Sequence, residues 1–438
     1  MQTRRDFILT MAGLGFVSAV GVPSSAFAAT TASTSPKEGL LRAGAARVEI
    51  KVSDNFFPYD SFNHRHFTGS HDALYIRSIL VDNGTSSALF ISVDTGDISG
   101  EWLEEISTAS GVPLSNIFLT ATHTHESGYI SRTLAENLSE PEKSATFKAI
   151  AKDALFASIE AAKSNMQDCQ ICYDTGTADV NVNRNETKPN APHNPDGVSD
   201  KTVSVLTFKD MADTPFAYAY SYAVHSTVML FSDVKDGGMM FSGDLAGAAS
   251  RYVEKQMDDT AVAVWLLAPC ADQGPKASAT SRSTDADGNE IREDLGEKGF
   301  ELVDSQGQEI GAEVLRVGKV SKPMEGTPEI KGTVGSVTVE GTNNQIDLRL
   351  NELRIGDVVY FGFPGELVTS VGHALQSIFA EFSWDKSVVI TQANGSNGYF
   401  SDDFGYDNKT FDGTASFAKK GYDKLVLKKA KTMAADLK

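Results

Sequence analysis

The chain has 438 residues, 41% of them hydrophobic and 37 of them glycine, an ordinary globular composition that excludes a disordered polymer and a membrane bundle. Its 58 acidic residues outnumber 39 lysines and arginines, and the resulting charge of −19 repels phosphate backbones and anionic lipid surfaces, so no nucleic-acid partner is expected. Three cysteines are too few for a disulfide framework.

The first element is an address. Thr3-Arg4-Arg5-Asp6-Phe7-Ile8-Leu9 is a twin-arginine pattern, followed by an apolar run to Val22 and by the small residues Ala26-Phe27-Ala28. Charged start, short apolar middle and small-residue cleavage site predict a signal peptide over 1–28, with export to the periplasm, cell surface or medium and no membrane span after cleavage. Residues 29–39 then read as a flexible tether, and one domain is expected over 40–438.

Short apolar or alternating runs predict strands at Ala46–Val52, Leu74–Val81, Ala88–Val93, Asn116–Thr122, Val203–Phe208, Phe216–Val224, Ala261–Leu267 and Val358–Phe363. Helical periods fall at Glu101–Ala109, Ala145–Lys163, Leu245–Gln256, Gly311–Val317, Leu367–Phe382 and Phe417–Leu437. Strands alternating with helices predict an α/β fold, a single large domain of mixed sheets covered by helices. Cys169-Gln-Ile-Cys172 lies in a strand-like stretch where a spacing of three sends side chains to opposite faces, a structural pair with redox or metal binding as the alternative. Asp174–Asp200 and Lys276–Asp294 have no clear period and read as long functional loops. No internal repeat is visible in the sequence.

Three strand ends carry the candidate chemistry. Thr120-Ala-Thr-His123-Thr-His125 places two imidazoles after a strand, and alternation puts them on one face. Both would bind one metal, or one would bind while the other handles protons; a pair of hydrogen-bonded structural histidines is the plain alternative. His225-Ser-Thr follows a second strand, and Pro364-Gly-Glu366 a third, where the carboxylate is either a ligand or a helix N-terminal charge.

With these motifs in order, the chain resembles the catalytic domain of the neutral ceramidase family, zinc amidases that hydrolyse N-acylsphingosine. The resemblance runs through Ala43-Gly-Ala-Ala-Arg-Val-Glu-Ile50, His71-Asp-Ala-Leu-Tyr-Ile-Arg77, Ala121-Thr-His-Thr-His125, Asn183-Arg184, His225-Ser-Thr, Ser242-Gly-Asp244, Pro364-Gly-Glu366 and Gly398-Tyr399. It implies a Zn2+ site made by His123, His225, Glu366 and Tyr399, with His125 moving protons and Arg184 holding the scissile carbonyl oxygen or a polar headgroup. It further implies an N-acyl or lipid-like small-molecule substrate and attack by zinc-activated water. Two departures follow from the same resemblance. Cys270, in Cys270-Ala-Asp-Gln-Gly-Pro275, stands at the family's serine position, as an auxiliary group, an alternative nucleophile or inert packing. Phe411 replaces a second tyrosine, with Tyr406 or Ser401 as substitutes. Asp94 and Asp244 are candidates for orienting the histidines. An ester, lactone or sugar-derived substrate, and a catalytically silent binding protein, are the alternatives to amide hydrolysis.

Overall fold

The computed structural model describes residues 41–438 apart from 62–64, 132–138, 186–193, 195, 235 and 285–289. The signal peptide and tether expected before residue 40 lie outside the described residues, as do parts of both long loops. Among the described residues, no helix is long and apolar enough to cross a membrane.

Alternation along the buried strands determines the layering. The chain repeats one topological unit three times. In the first, β1 (Arg42–Glu49), β2 (Tyr75–Asp82) and β3 (Ser87–Val93) form an antiparallel meander. Helix α1 (Leu103–Ser110) then carries the chain to β4 (Ile117–Ala121), which lies parallel to β3, and α2 (Pro141–Ser164) follows. The second unit repeats this order with β5 (Gln170–Thr177), β6 (Thr202–Lys209), β7 (Pro215–Tyr222), α3 (Asp244–Gln256), β8 (Val262–Leu267) and α4 (Gly299–Val320). The third does so with β9 (Ile330–Glu340), β10 (Gln345–Ile355), β11 (Val358–Gly362), α5 (Thr369–Ala380), β12 (Lys386–Ile390) and α6 (Tyr422–Asp436).

The central strands of each sheet bury both faces. Phe90 and Phe118 of the first sheet, Ala219 and Val264 of the second, and Tyr360 and Val388 of the third join one central core. Their sequence neighbours point outward: Leu89 and Leu119 pack with α1 and α2, Tyr220 and Trp265 with α3 and α4, and Phe361 and Val389 with α5 and α6. Period-two alternation between two apolar environments yields the continuous apolar runs seen in the sequence. Buried Arg77 crosses between units, bonding Glu254 of α3 at 2.8 and 3.2 Å and Asp94 at 3.2 Å. The three strands that run parallel to their neighbours, β4, β8 and β12, and their partners β3, β7 and β11 send their C-terminal ends to one place. Backbone bonds connect those ends across units: His125 N to Ser226 O, Ala271 N to Leu367 O, Thr391 N to Leu267 O and Asn394 N to Leu119 O, over 2.7–3.3 Å.

Candidate metal and catalytic centre

All six strand ends contribute to one buried cluster. β4 leads to His123 and His125, β7 to His225, β8 to Cys270, β11 to Glu366 and β12 to Gln392 and Tyr399, while Gly96 after β3 offers a carbonyl. The expected alternation does not place the two histidines: β4 stops at Ala121, and His123 adopts a left-handed φ of 62°. That turn brings the rings edge to face, with Nε2 atoms 3.4 Å apart. Glu366 and Tyr399 meet for a backbone reason, since Glu366–Leu367 and Tyr399–Phe400 pair as short parallel strands with these two residues in register.

Hydrogen bonds set the ring orientation. His123 Nδ1 bonds Gly96 O, and His225 Nδ1 bonds Cys270 O at 2.7 Å and Gln273 O at 3.1 Å. Carbonyls only accept, so both Nδ1 atoms carry a proton, and in the neutral rings both Nε2 lone pairs face the cluster. There they meet one oxygen: Glu366 Oε2 lies 3.2 Å from His123 Nε2 and 3.0 Å from His225 Nε2. Gln392 donates to the other oxygen, Oε1, at 3.2 Å. Tyr399 Oη lies 3.4 Å from His225 Nε2. Arg184 bonds Ala271 O through Nε and Nη2, and Nη2 also reaches Tyr399 Oη and His225 Nε2 at 3.3 Å.

Burial pulls His123 down, but Glu366 beside it more than offsets this and the net shift is upward. Burial raises Glu366, yet the two histidines hold it well below the usual carboxylate range. His225 is lowered to about 4 by burial and then by Arg184, and His125 is held well below its usual value by burial and then by Arg65. Both stay neutral at pH 7. The three histidines offer ring nitrogens within 4.8 Å of one another, a set that could hold a metal ion.

Several expectations change on contact with this geometry. Asp94 is spent on Tyr75 N and Arg77, and Asp244 on the backbone of Val228, Met229 and Leu245, so carbonyls rather than carboxylates orient the histidines. Tyr406 bonds Ser416 and Ala418 O, and Ser401 bonds Asp412, so neither stands in for a missing tyrosine. Phe411 does sit at the site, with its ring 5.3 Å from that of Tyr399 and 5.2 Å from Arg184 Cζ. Cys270 is fully buried, and burial pushes its thiol well above its usual value, which keeps it protonated. Cys169 and Cys172 are buried and free. Sequence reasoning missed Arg65 and Gln392, whose side chains reach His125 and Glu366 through contacts that no local motif announces.

A profile of the neutral/alkaline non-lysosomal ceramidase N-terminal domain matches residues 48–290. The chain belongs to the neutral/alkaline ceramidase family. It is 24% identical over 241 residues to a neutral ceramidase of Drosophila pseudoobscura pseudoobscura, covering 51% of this chain and 33% of that protein. For the Drosophila melanogaster neutral ceramidase the values are 25% over 235 residues, 49% and 32%. The match thus spans about a third of the length of these curated relatives. The fold is that of the neutral ceramidase of Pseudomonas aeruginosa, with a TM-score of 0.70 at 17% identity over 92% of this chain and 75% of that one. A ceramidase complexed with C2 superposes with a TM-score of 0.71 at 16% identity, over 91% and 75%.

Proposed function

We propose that this chain is an exported zinc-dependent hydrolase of N-acyl compounds, with His123, His225, Glu366 and Tyr399 as the metal ligands. The observation that carries the reading is the convergence of two Nε2 lone pairs, each fixed by a carbonyl at Nδ1, on one Glu366 oxygen at 3.2 and 3.0 Å. Donors held about 2.0–2.1 Å from one ion at tetrahedral angles lie about 3.3 Å from each other, so these spacings and the 3.4 Å from Tyr399 to His225 fit zinc. His125 fits less well as a ligand. Arg65 donates to its Nδ1 at 3.0 Å, so the neutral ring carries its proton on Nε2 and has no lone pair to offer there. Zinc in this position would polarise a carbonyl and lower the pKa of water toward about 7.

The residues of the chain do the rest. Arg184, anchored on Ala271 O beside Tyr399, faces the carbonyl oxygen as negative charge develops on it. His125 holds its Nε2–H toward the leaving nitrogen, and the proton that the attacking water gives up passes to that nitrogen as the C–N bond breaks. Cys270, kept as a buried thiol, takes no covalent part. Membership in the ceramidase family supports an amide as the bond cleaved and an N-acyl or lipid-like molecule as the substrate. The twin-arginine pattern at Arg4-Arg5 supports export, with cleavage after Ala28 leaving a hydrolase domain over 40–438. Bound zinc and amine release from a panel of N-acyl amides, esters and lactones, measured for the wild type and His123→Ala, test the reading. Amide turnover lost with the metal in His123→Ala supports it; turnover of esters alone, or none, rejects it.

A further inference from the structure

His125 is the partly exposed member of the histidine cluster, and Arg65 fixes it. Arg65 is only 4% exposed. Its Nη2 donates to His125 Nδ1 at 3.0 Å, and its Nη1 donates to the Tyr129 hydroxyl and, at 3.4 Å, to the His125 carbonyl. The rings of Tyr129 and Phe231 flank the guanidinium, their centroids 5.5 and 5.8 Å from Cζ. These contacts leave Nε–H buried and without an acceptor among the described residues. A buried cationic donor is costly to leave unpaired, and such groups persist where a ligand or water supplies the acceptor. Nε–H and the second Nη2 hydrogen share one edge of the planar group, the fork that meets both oxygens of a carboxylate.

The surroundings do not cancel the charge. Arg65 has no ion pair among the described residues, and burial raises Glu126, the carboxyl that acts on it most strongly, well above the usual carboxylate range. A second buried guanidinium, Arg184, stands at Tyr399 and His225. Phe231, 43% exposed, lies over Arg65 at the solvent side.

We propose that Arg65 forms an anion subsite beside His125, and that the substrate is an N-acyl amino acid rather than an N-acyl amino alcohol. This rests on the amidase reading above. His125 Nε2 points into the cluster while Arg65 holds the same ring at Nδ1, so a substituent on the leaving nitrogen passes beside Arg65. In an N-acyl amino acid that substituent carries a carboxylate on the adjacent carbon, within reach of the free fork. Water adds to the acyl carbonyl, the C–N bond breaks, and the amino acid leaves with the proton that the water gives up while the acyl half leaves as a carboxylic acid.

N-dodecanoylglycine and N-dodecanoylethanolamine differ in carboxylate against hydroxymethyl, and their binding to the purified full chain is measured by calorimetry with and without zinc. Acylglycine is expected to bind at least about tenfold more tightly, with the ratio falling to within about twofold in Arg65→Gln and lying between in Arg65→Lys. Phe231→Glu, which places an acid beside an intact Arg65, is expected to lower acylglycine binding selectively and covers the case in which Arg65→Gln does not fold. Equal affinities in the wild type, or a ratio unchanged by these substitutions, overturn the subsite. Turnover by the zinc-loaded wild type separates the two ideas: no amine release with the binding ratio intact refutes hydrolysis and keeps the subsite, whereas turnover of both compounds without preference does the reverse.

Discussion

Asn394 holds the third unit against the first, and Asn394→Ala tests that connection. Its side chain acts as an extra strand residue on the open edge of β4: Leu119 N donates to Oδ1 at 2.9 Å and Nδ2 donates to Ile117 O at 2.8 Å. The residue is buried and adopts a left-handed φ of 60°, which asparagine tolerates better than alanine. Leaving two buried backbone groups unpaired costs about 1.5 kcal/mol each, and the backbone conformation adds about 1 kcal/mol, so the loss is about 4 kcal/mol. At roughly 2.1 cal/mol/K per residue the ordered chain unfolds with about 0.8 kcal/mol/K, which makes the expected drop in Tm about 5 °C. Asn394→Gly removes the same bonds without the backbone strain and should be about 1 °C less severe. Thermal unfolding followed by circular dichroism measures both. A shift below 1 °C for Asn394→Ala would show that the units do not depend on this side chain.

Other consequences are as direct. All three cysteines are buried, with Cys169 pushed up to about 12 and Cys270 well above its usual value, so an aromatic disulfide reagent should find no reactive thiol in the native protein and three in denaturant. His373 lies 3.5 Å from Asp200, whose hydrogen bond raises the imidazole, while burial raises Asp200 but its bonds to His373 and Thr202 lower it overall. The raised histidine stabilises fully below about pH 6.5 and loses this as pH rises through its folded value; the lowered aspartate stabilises above about pH 3.9 and loses this as pH falls through its own. His373→Ala should therefore cost about 0.5 kcal/mol near pH 5, allowing for a pair half open to solvent, and nothing measurable at pH 9, by denaturant titration. Gln392→Leu frees Glu366 Oε1 and should weaken zinc binding by about 10- to 100-fold without abolishing it, as read by chelator competition.

The strands that bury both faces were legible, because β3, β7 and β11 alternate between two apolar environments and leave continuous runs. The β9–β10 hairpin was not, since much of it is exposed or only half buried and its pattern is broken. The first half of α4 was hidden by its glycines. They permit close approach: a Cβ at Gly299 would meet Ala279 Cβ at 2.4 Å, and one at Gly307 would meet Ala248 Cβ at 2.6 Å. The threefold topology escaped because strand order, pairing sense and helix placement recur while the side chains do not. At the site, histidines and a glutamate after strand ends were readable from chemistry, whereas Arg65 and Gln392 reach His125 and Glu366 across 60 and 26 residues of chain.

The central claim is that His123, His225, Glu366 and Tyr399 hold one zinc ion. Metal content of the purified chain by inductively coupled plasma mass spectrometry, beside Glu366→Gln, tests it most directly. The account predicts about one zinc per wild-type chain and, in the variant, zinc lost to a chelator that leaves the wild type loaded. A wild-type chain that holds no zinc after equilibration with the ion, or a variant that holds it as tightly, would contradict the account.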